Sequence, residues 1–205
     1  MMSAEGCVPG IILASESPRR KDILSRMGLD FKVVPPETEE ASLYYYHSLV
    51  PIINACRKAG KVSSDFPSSL VIGADTVIEF ENRILGKPSS ESESAEMLQL
   101  LSGRSHLVIT GVCLIRKSSH ARCVFCDVTE VSFRKLSRKS IEEYVRKVDT
   151  LDKAGAYAIQ EHGDMIIEGT RGSFDNVAGL PSEKLRTALQ SLAFGRVIRN
   201  FAPAE

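Results

Sequence analysis

The sequence predicts an α/β fold in which helices flank a mixed central β-sheet. Short apolar runs with the length of buried strands alternate with segments whose apolar residues recur at helical spacing, and two long β-branched runs follow each other in the second half of the chain. Strands interspersed with helices throughout a chain indicate an α/β architecture. The length of 205 residues favours one domain, 1–205.

The first half of the chain alternates strand and helix. Residues 10–14 form an apolar run typical of a buried strand. Ser17 and Pro18 follow as an N-cap and a proline in the first helical turn, and Gly28 suits the left-handed residue that ends this helix. The remaining predictions are a strand at 30–35, a helix at 49–62, and strand segments at 70–73 and 76–80 on either side of Ala74-Asp75.

The second half contains a predicted hairpin between helices. Ser90 and Glu93 form a capping box for a helix that ends near 102–103, and Ser140 and Glu143 form another. The two β-branched runs, 105–116 and 122–134, are joined by the polar residues 117–121. The last helix carries Leu185, Ala188, Leu189 and Leu192 at helical spacing and ends at Gly195.

The charge balance argues against two classes of partner. The chain has 26 Lys+Arg and 26 Asp+Glu, so its formal net charge is zero. Nucleic acids and anionic membranes select a basic surface, so we expect neither, although a local cluster of cations can still hold a small anion. No apolar run approaches the ~20 residues that span a bilayer, and residues 1–10 lack the pattern of a signal peptide. We therefore expect a soluble cytoplasmic protein.

The cysteines do not indicate a disulfide framework or a zinc site. Cys123 and Cys126 form a C-x-x-C, but they lie in a predicted strand, where residues three apart point to opposite faces. The four histidines have no metal-binding spacing. The cysteines are odd in number and scattered, at Cys7, Cys56, Cys113, Cys123 and Cys126.

A first polar segment, residues 15–20, lies between a predicted strand and a helix N-terminus. The free N–H groups and the macrodipole of such a terminus favour an anion. Ser15, Arg19 and Arg20 add donors that suit phosphate. The alternative interpretation is a capping turn with solvated arginines.

A second polar segment, residues 73–76, places Asp75 directly after an apolar run. Ligands bind at the carboxyl ends of strands in α/β sheets, where this carboxylate suits either Mg²⁺ binding or general-base chemistry. The alternative is a turn aspartate between two strand segments.

A third segment holds Lys87 between Gly86 and Pro88. It is not a P-loop, since the glycine spacing and the following Ser/Thr are missing. A lysine in a defined turn suits a point charge directed at phosphate, and the alternative is a solvated turn lysine.

A fourth segment has small residues around Gly155 and a lone Gln160, and it consists of residues 152–160 together with 176–181 further on. An amide presents both a donor and an acceptor, which suits reading the edge of a base. The alternative is a buried glutamine satisfied by backbone. Taken together, the four segments favour nucleotide phosphate chemistry, and no G-x-S-x-G or Cys–His pattern competes with it.

The same segments, in this order, resemble the Maf family of nucleoside triphosphate pyrophosphatases. The resemblance extends from about residue 11 to 195 and implies two lobes around a cleft, a fold shared with inosine triphosphate pyrophosphatases, and a homodimer. The matching segments are 13–20, 39–40, 58–59, 71–77, 85–88, 101–106, 110–112, 153–160 and 176–181.

The resemblance also implies an activity and a divalent metal such as Mg²⁺ or Mn²⁺. The family hydrolyses nucleoside triphosphates between the α- and β-phosphates, removes modified nucleotides from the pool and is linked to arrest of cell division. By position, Asp75 is similar to the proton acceptor, and Glu40 to the second acidic residue that holds the metal with it. The positions that handle phosphate are Ser15, Arg20, Lys58 and Lys87, and those that set base preference are Arg19, Thr76 and Gln160.

Residues 73–76, 105–106 and 157–160 resemble the branch that prefers dTTP and UTP. The alternatives are the branch that prefers 7-methyl-GTP and a non-catalytic nucleotide-binding regulator of cell division. Glu161 departs from the family pattern, which has glycine there, and adds a negative charge next to Gln160.

Overall fold

The computed structural model describes residues 10–38 and 49–191. The predictions that concern Cys7, Glu39, Glu40, Leu192 and Gly195 lie outside these residues. The strands are β1 Ile11–Ala14, β2 Lys32–Val33, β3 Leu70–Phe80, β4 Arg83–Leu85, β5 Ser105–Arg116, β6 Ala121–Phe133 and β7 Ile167–Arg171. The helices are α1 Pro18–Arg26, α2 Val50–Asp65, α3 Glu91–Leu101, α4 Arg138–Lys147, α5 Phe174–Val177 and α6 Ser182–Ser191.

The described strands form one mixed sheet, as predicted. Its order is β2-β1-β3-β5-β6-β7, with β4 paired to β3. β1 runs parallel to β2 and β3, because the connections between them cross over through helices, and the other pairs are antiparallel. No helix in the described part of the chain is long and apolar enough to cross a membrane.

Helices cover both faces of the sheet. On one face, Ala55 and Ala59 of α2 pack with Val71 and Cys113 of the central strands. On the other face, a larger apolar cluster joins α1 and α6 to the sheet, and a further one joins α3 and α4 to its far end.

Helix α2 lies unusually close to the sheet at two glycines. A Cβ atom at Gly73 would overlap the carbonyl oxygen of Ala55 and lie 2.7 Å from the Ala59 nitrogen. A Cβ at Gly111 would lie 2.5 Å from the backbone of Pro51 and Ile52. Only glycine permits so close an approach, and the contact holds α2 at a defined distance from β3 and β5.

The predicted hairpin is confirmed, with β5 and β6 joined by a 3₁₀ turn at Lys117–Ser119. Cys123 and Cys126 lie on β6, as expected. Cys123 pairs with Leu114 of the α1–α6 cluster, whereas Cys126 pairs with Gly111, which faces α2. The two thiols therefore point to opposite faces.

Two predictions about local structure were wrong. Residues 70–80 form one continuous strand, because Gly111 and Val112 of β5 pair with Asp75 and Ala74 and satisfy the backbone where a break was expected. Helix α4 is capped by Ser137 and not by Ser140, since the Ser137 hydroxyl accepts a hydrogen bond from the Ser140 N–H at 3.1 Å.

Three other predictions need smaller adjustments. Ser17 occupies the N-cap position of α1, but its side chain makes no capping hydrogen bond. Strand β2 covers only Lys32–Val33. Ser90 caps α3 as predicted, whereas the Glu93 carboxylate accepts from the Ser89 N–H and hydroxyl.

Candidate active site

A cavity of about 1150 Å³ opens where the edge of β3 is uncovered. β1 pairs with β3 only as far as Gly73, and β4 begins to pair at Ile78, so neither strand covers residues 74–77. All the predicted site residues that lie in the described part of the chain line this cavity, namely Ser15, Arg19, Arg20, Lys58, Asp75, Thr76, Lys87 and Gln160. Glu40 lies outside the described residues.

The uncovered edge explains how neighbouring residues of one strand reach the same cavity. Asp75 points to the α2 face of the sheet, and Thr76 points to the opposite face, where it contacts Arg20. Both line the cavity because it wraps around the strand edge. The interpretation of Asp75 as a turn residue was therefore wrong.

The carboxylate of Asp75 is buried, with 6% exposure. Its Oδ1 lies 2.7 Å from Nζ of Lys58, and its Oδ2 accepts a hydrogen bond from Nδ2 of Asn54 at 3.0 Å. Sequence reasoning missed Asn54. The available signal was its position four residues before Lys58, which places both on one face of a helix.

Arg20 joins three of the polar segments. Its Nε donates to the carbonyl of Gly179 at 2.9 Å, and its two terminal nitrogens donate to the hydroxyls of Ser15 at 3.1 Å and Thr76 at 3.2 Å. Thr76 also shares a hydrogen bond of 2.9 Å with Thr110 across the ladder. These contacts fix the shape of the cavity wall, a task that the sequence interpretation of Arg20 did not include.

A cluster of charges lies beside the cavity around Lys153. Lys153 is 4% exposed, and its ammonium group donates to the carbonyl of Asp149 at 2.5 Å and to the carboxylate of Asp152 at 2.7 Å. Glu161 lies 3.4 Å from Lys153 and 3.9 Å from Arg19. Sequence reasoning gave Lys153 no role, although it lies in a segment that carries the family resemblance.

The third and fourth segments meet at Gly155. Its backbone is left-handed (φ +65°), and its N–H donates to the carbonyl of Gly86 at 2.9 Å. Lys87 and Gln160 are exposed at the cavity, so the alternative of a buried glutamine was wrong.

A buried group of rings supports the cavity wall from behind. Tyr157 lines the cavity, and its hydroxyl lies 2.6 Å from Nε2 of His106, which is buried. Burial lowers the pKa of His106 to about 4 and raises the pKa of Tyr144 to about 12. The Tyr144 hydroxyl accepts from the Ala158 N–H at 3.1 Å and thereby anchors the turn that leads to Gln160. No local motif could reveal these contacts, because the partners are distant in sequence.

The fold and the cavity define an α/β protein with a cation-lined cleft built around a buried carboxylate. The model of the Maf family, described as Maf-like protein, matches residues 10–192, so this chain belongs to the Maf family. The resemblance seen in the sequence is confirmed.

Curated relatives cover almost the same region. A protein of Akkermansia muciniphila is 43% identical over 191 residues, which are 91% of this chain and 98% of the relative. A protein of Bacillus cereus strain AH820 is 43% identical over 176 residues, which are 85% of this chain and 91% of the relative. A protein of Bacillus anthracis strain CDC 684 matches with the same identity and coverage. Each is named dTTP/UTP pyrophosphatase.

Proposed function

We propose that this protein is a nucleoside triphosphate pyrophosphatase that acts on dTTP, UTP and modified pyrimidine nucleotides. The observation that carries the proposal is the buried carboxylate of Asp75 in a cavity lined by lysines and arginines. Phosphoryl transfer depends mainly on positioning and charge neutralisation, which such a cavity supplies. The shared name of relatives that match along 85–91% of the chain supports this substrate class.

In the proposed reaction, water attacks the phosphoanhydride between the α- and β-phosphates. Asp75 accepts a proton from that water, the P–O bond breaks, and the products are a nucleoside monophosphate and pyrophosphate. Lys87 is exposed at the cavity and suits the charge that develops on the departing pyrophosphate. The other residues that we assign to phosphate binding are Ser15, Lys58 and Arg20.

The base is proposed to lie on the other side of the cavity. Gln160 is exposed there and offers both a donor and an acceptor, the combination that the edge of uracil or thymine also presents. Arg19 and Thr76 are the other two residues that we assign to base preference.

A divalent metal fits this donor set. Within residues 10–38 and 49–191 no three His, Cys, Asp or Glu side chains form a group that could hold a metal ion. Mg²⁺, however, commonly binds through one or two carboxylates together with substrate phosphates, and Asp75 offers one buried carboxylate at the cavity. We propose that Asp75 and Glu40 hold Mg²⁺ or Mn²⁺, which when bound supplies charge neutralisation at the phosphate oxygens.

The homodimer, the single domain at 1–205 and the cytoplasmic location remain predictions.

The test is a substrate panel with pyrophosphate detection. Purified protein with Mg²⁺ should release pyrophosphate from dTTP and UTP faster than from 7-methyl-GTP, and the panel should include methylated and halogenated pyrimidines. Asp75→Asn should lower kcat about 10³-fold or more, because it removes the proton acceptor. The matched control is Asp127→Asn, since Asp127 forms a similar 2.6 Å pair with Lys184 away from the cavity.

The alternatives have their own outcomes in the same panel. Preferred turnover of 7-methyl-GTP would place the chain in the other branch. Tight triphosphate binding by calorimetry, without turnover in any metal, would favour the non-catalytic regulator. Substantial turnover in Asp75→Asn would contradict the role given to Asp75.

A further inference from the structure

Two side chains of α2 hold the two oxygens of one carboxylate. Lys58 Nζ lies 2.7 Å from Oδ1 of Asp75, and Asn54 Nδ2 donates to Oδ2 at 3.0 Å. Asn54 and Lys58 are four residues apart, so they are neighbours on one face of the helix. The Asp75 carboxylate is therefore held from the helix side at both oxygens.

The helix that carries these donors is tightly seated. Its backbone contacts Gly73, two residues before Asp75, and Gly111, the cross-strand partner of Asp75. Asn54 itself is 3% exposed and lies in the wall of the cavity. Since the helix backbone packs directly against the sheet and cannot approach it further, the position of the Asn54 amide relative to Asp75 is well defined.

The two donors do different work. An ammonium group is a compact charge on a flexible four-carbon stem, so Lys58 neutralises the carboxylate without setting its rotation. The planar amide of Asn54, on a short buried side chain, fixes the second oxygen and with it the plane of the carboxylate. A carboxylate has about four acceptor positions, so acceptor capacity remains for a water molecule.

We propose that Asn54 is a positioning residue, whose amide holds the plane of the Asp75 carboxylate in the orientation that accepts the proton of the attacking water. The inference rests on the proposed function. It assigns Asn54 an effect on the reacting step and none on the binding of the nucleotide, because Asn54 acts through Asp75.

The test compares two variants that keep the size of the side chain. Asn54→Leu removes the donor, and kcat for dTTP should fall on the order of 10-fold, the loss typical of a partner that orients a reacting group. Asn54→Asp keeps the shape but replaces the donor by an acceptor, so its kcat should fall further. In Asn54→Leu, which introduces no charge, KM and the affinity for dTTP with an imido group between the α- and β-phosphates should stay within about twofold of the parent values.

A control and a partial rescue separate positioning from folding. Ser63→Ala removes another fully buried polar group of α2, which donates to the Gly60 carbonyl at 3.0 Å, and should leave kcat unchanged. Asn54→Gln retains an amide donor and should have a kcat above that of Asn54→Leu, which keeps the proposal testable if one variant folds poorly.

The outcomes also distinguish the two proposals. A parental enzyme that releases no pyrophosphate from any triphosphate overturns the proposed function. The role of Asn54 alone is overturned if the parent is fully active and Asn54→Leu leaves kcat unchanged. It is also overturned if Asn54→Leu raises KM and weakens analogue binding by the same factor by which it lowers kcat.

Discussion

Lys58 of α2 and Asp75 of β3 form an ion pair of 2.7 Å in which the two side chains are only 12% and 9% exposed. Removing one member of a buried pair leaves the other charge without its partner in a poorly solvated position, which costs more than the pair itself contributes. The packing of α2 on β3 and the charge in the cavity wall are therefore coupled through this ion pair.

We expect Lys58→Met to lower the free energy of unfolding by about 3 kcal/mol, because the Asp75 carboxylate stays buried without a cation. Combining it with Asp75→Asn should recover part of this loss. Urea unfolding of the two single variants and the double variant gives the coupling energy directly. Additive effects of the two substitutions would contradict an energetic link between the residues.

Alanine substitutions at Gly73, which packs against α2, and at Gly60, within α2, should change the stability in opposite directions. Gly73→Ala places a methyl group against the backbone of Ala55 and Ala59, so we expect a loss of about 1–3 kcal/mol in stability and reduced turnover as α2 shifts. Gly60→Ala, within the helix and with open space around the new methyl, should gain about 0.5–1 kcal/mol. Thermal and urea unfolding measure both, and a tolerated alanine at Gly73 would show that the helix can move freely.

Because His106 is buried, we expect the protein to lose stability in acid. Burial lowers its pKa from 6.5 to about 4, so between these values the unfolded chain binds a proton that the folded protein does not. The free energy of unfolding should therefore fall as the pH decreases from about 6.5 to about 4, by at most about 1.4 kcal/mol per pH unit from this group. In His106→Gln this part of the slope should disappear, and parallel pH profiles for the two proteins would refute the assignment.

Glu161 should weaken nucleotide binding. Its carboxylate lies 3.9 Å from Arg19 and competes with a bound nucleotide for that guanidinium. Because Glu161 is 41% exposed, Glu161→Gln should lower KM for dTTP by only about two- to threefold, with kcat unchanged and the difference shrinking at high salt. Glu142→Gln, which breaks a surface pair with Arg138, is the control and should not change KM. An unchanged or higher KM in Glu161→Gln would rule out the competition.

Local patterns predicted some elements closely. Three features could be predicted because each depends on residues close in sequence: the hairpin of β5 and β6, the Ser90 cap of α3 and the left-handed Gly28 after α1. The continuity of β3 was not, since it depends on pairing of Ala74 and Asp75 with residues of β5 about 40 positions later.

The sequence alone determined which chemical groups this protein carries and, through the order of its polar segments, the family to which it belongs. The helix predicted at 49–62 implies that Asn54 and Lys58 share one face, although the sequence offered no reason to single out Asn54. Only the tertiary structure decided that this face meets Asp75, and that Arg20 donates hydrogen bonds to Ser15, Thr76 and Gly179. The reason is physical: hydrogen bonds and ion pairs are set by distances of about 3 Å between side chains. Those distances follow from the sheet register and from the close seating of α2 on Gly73 and Gly111, which no local pattern specifies.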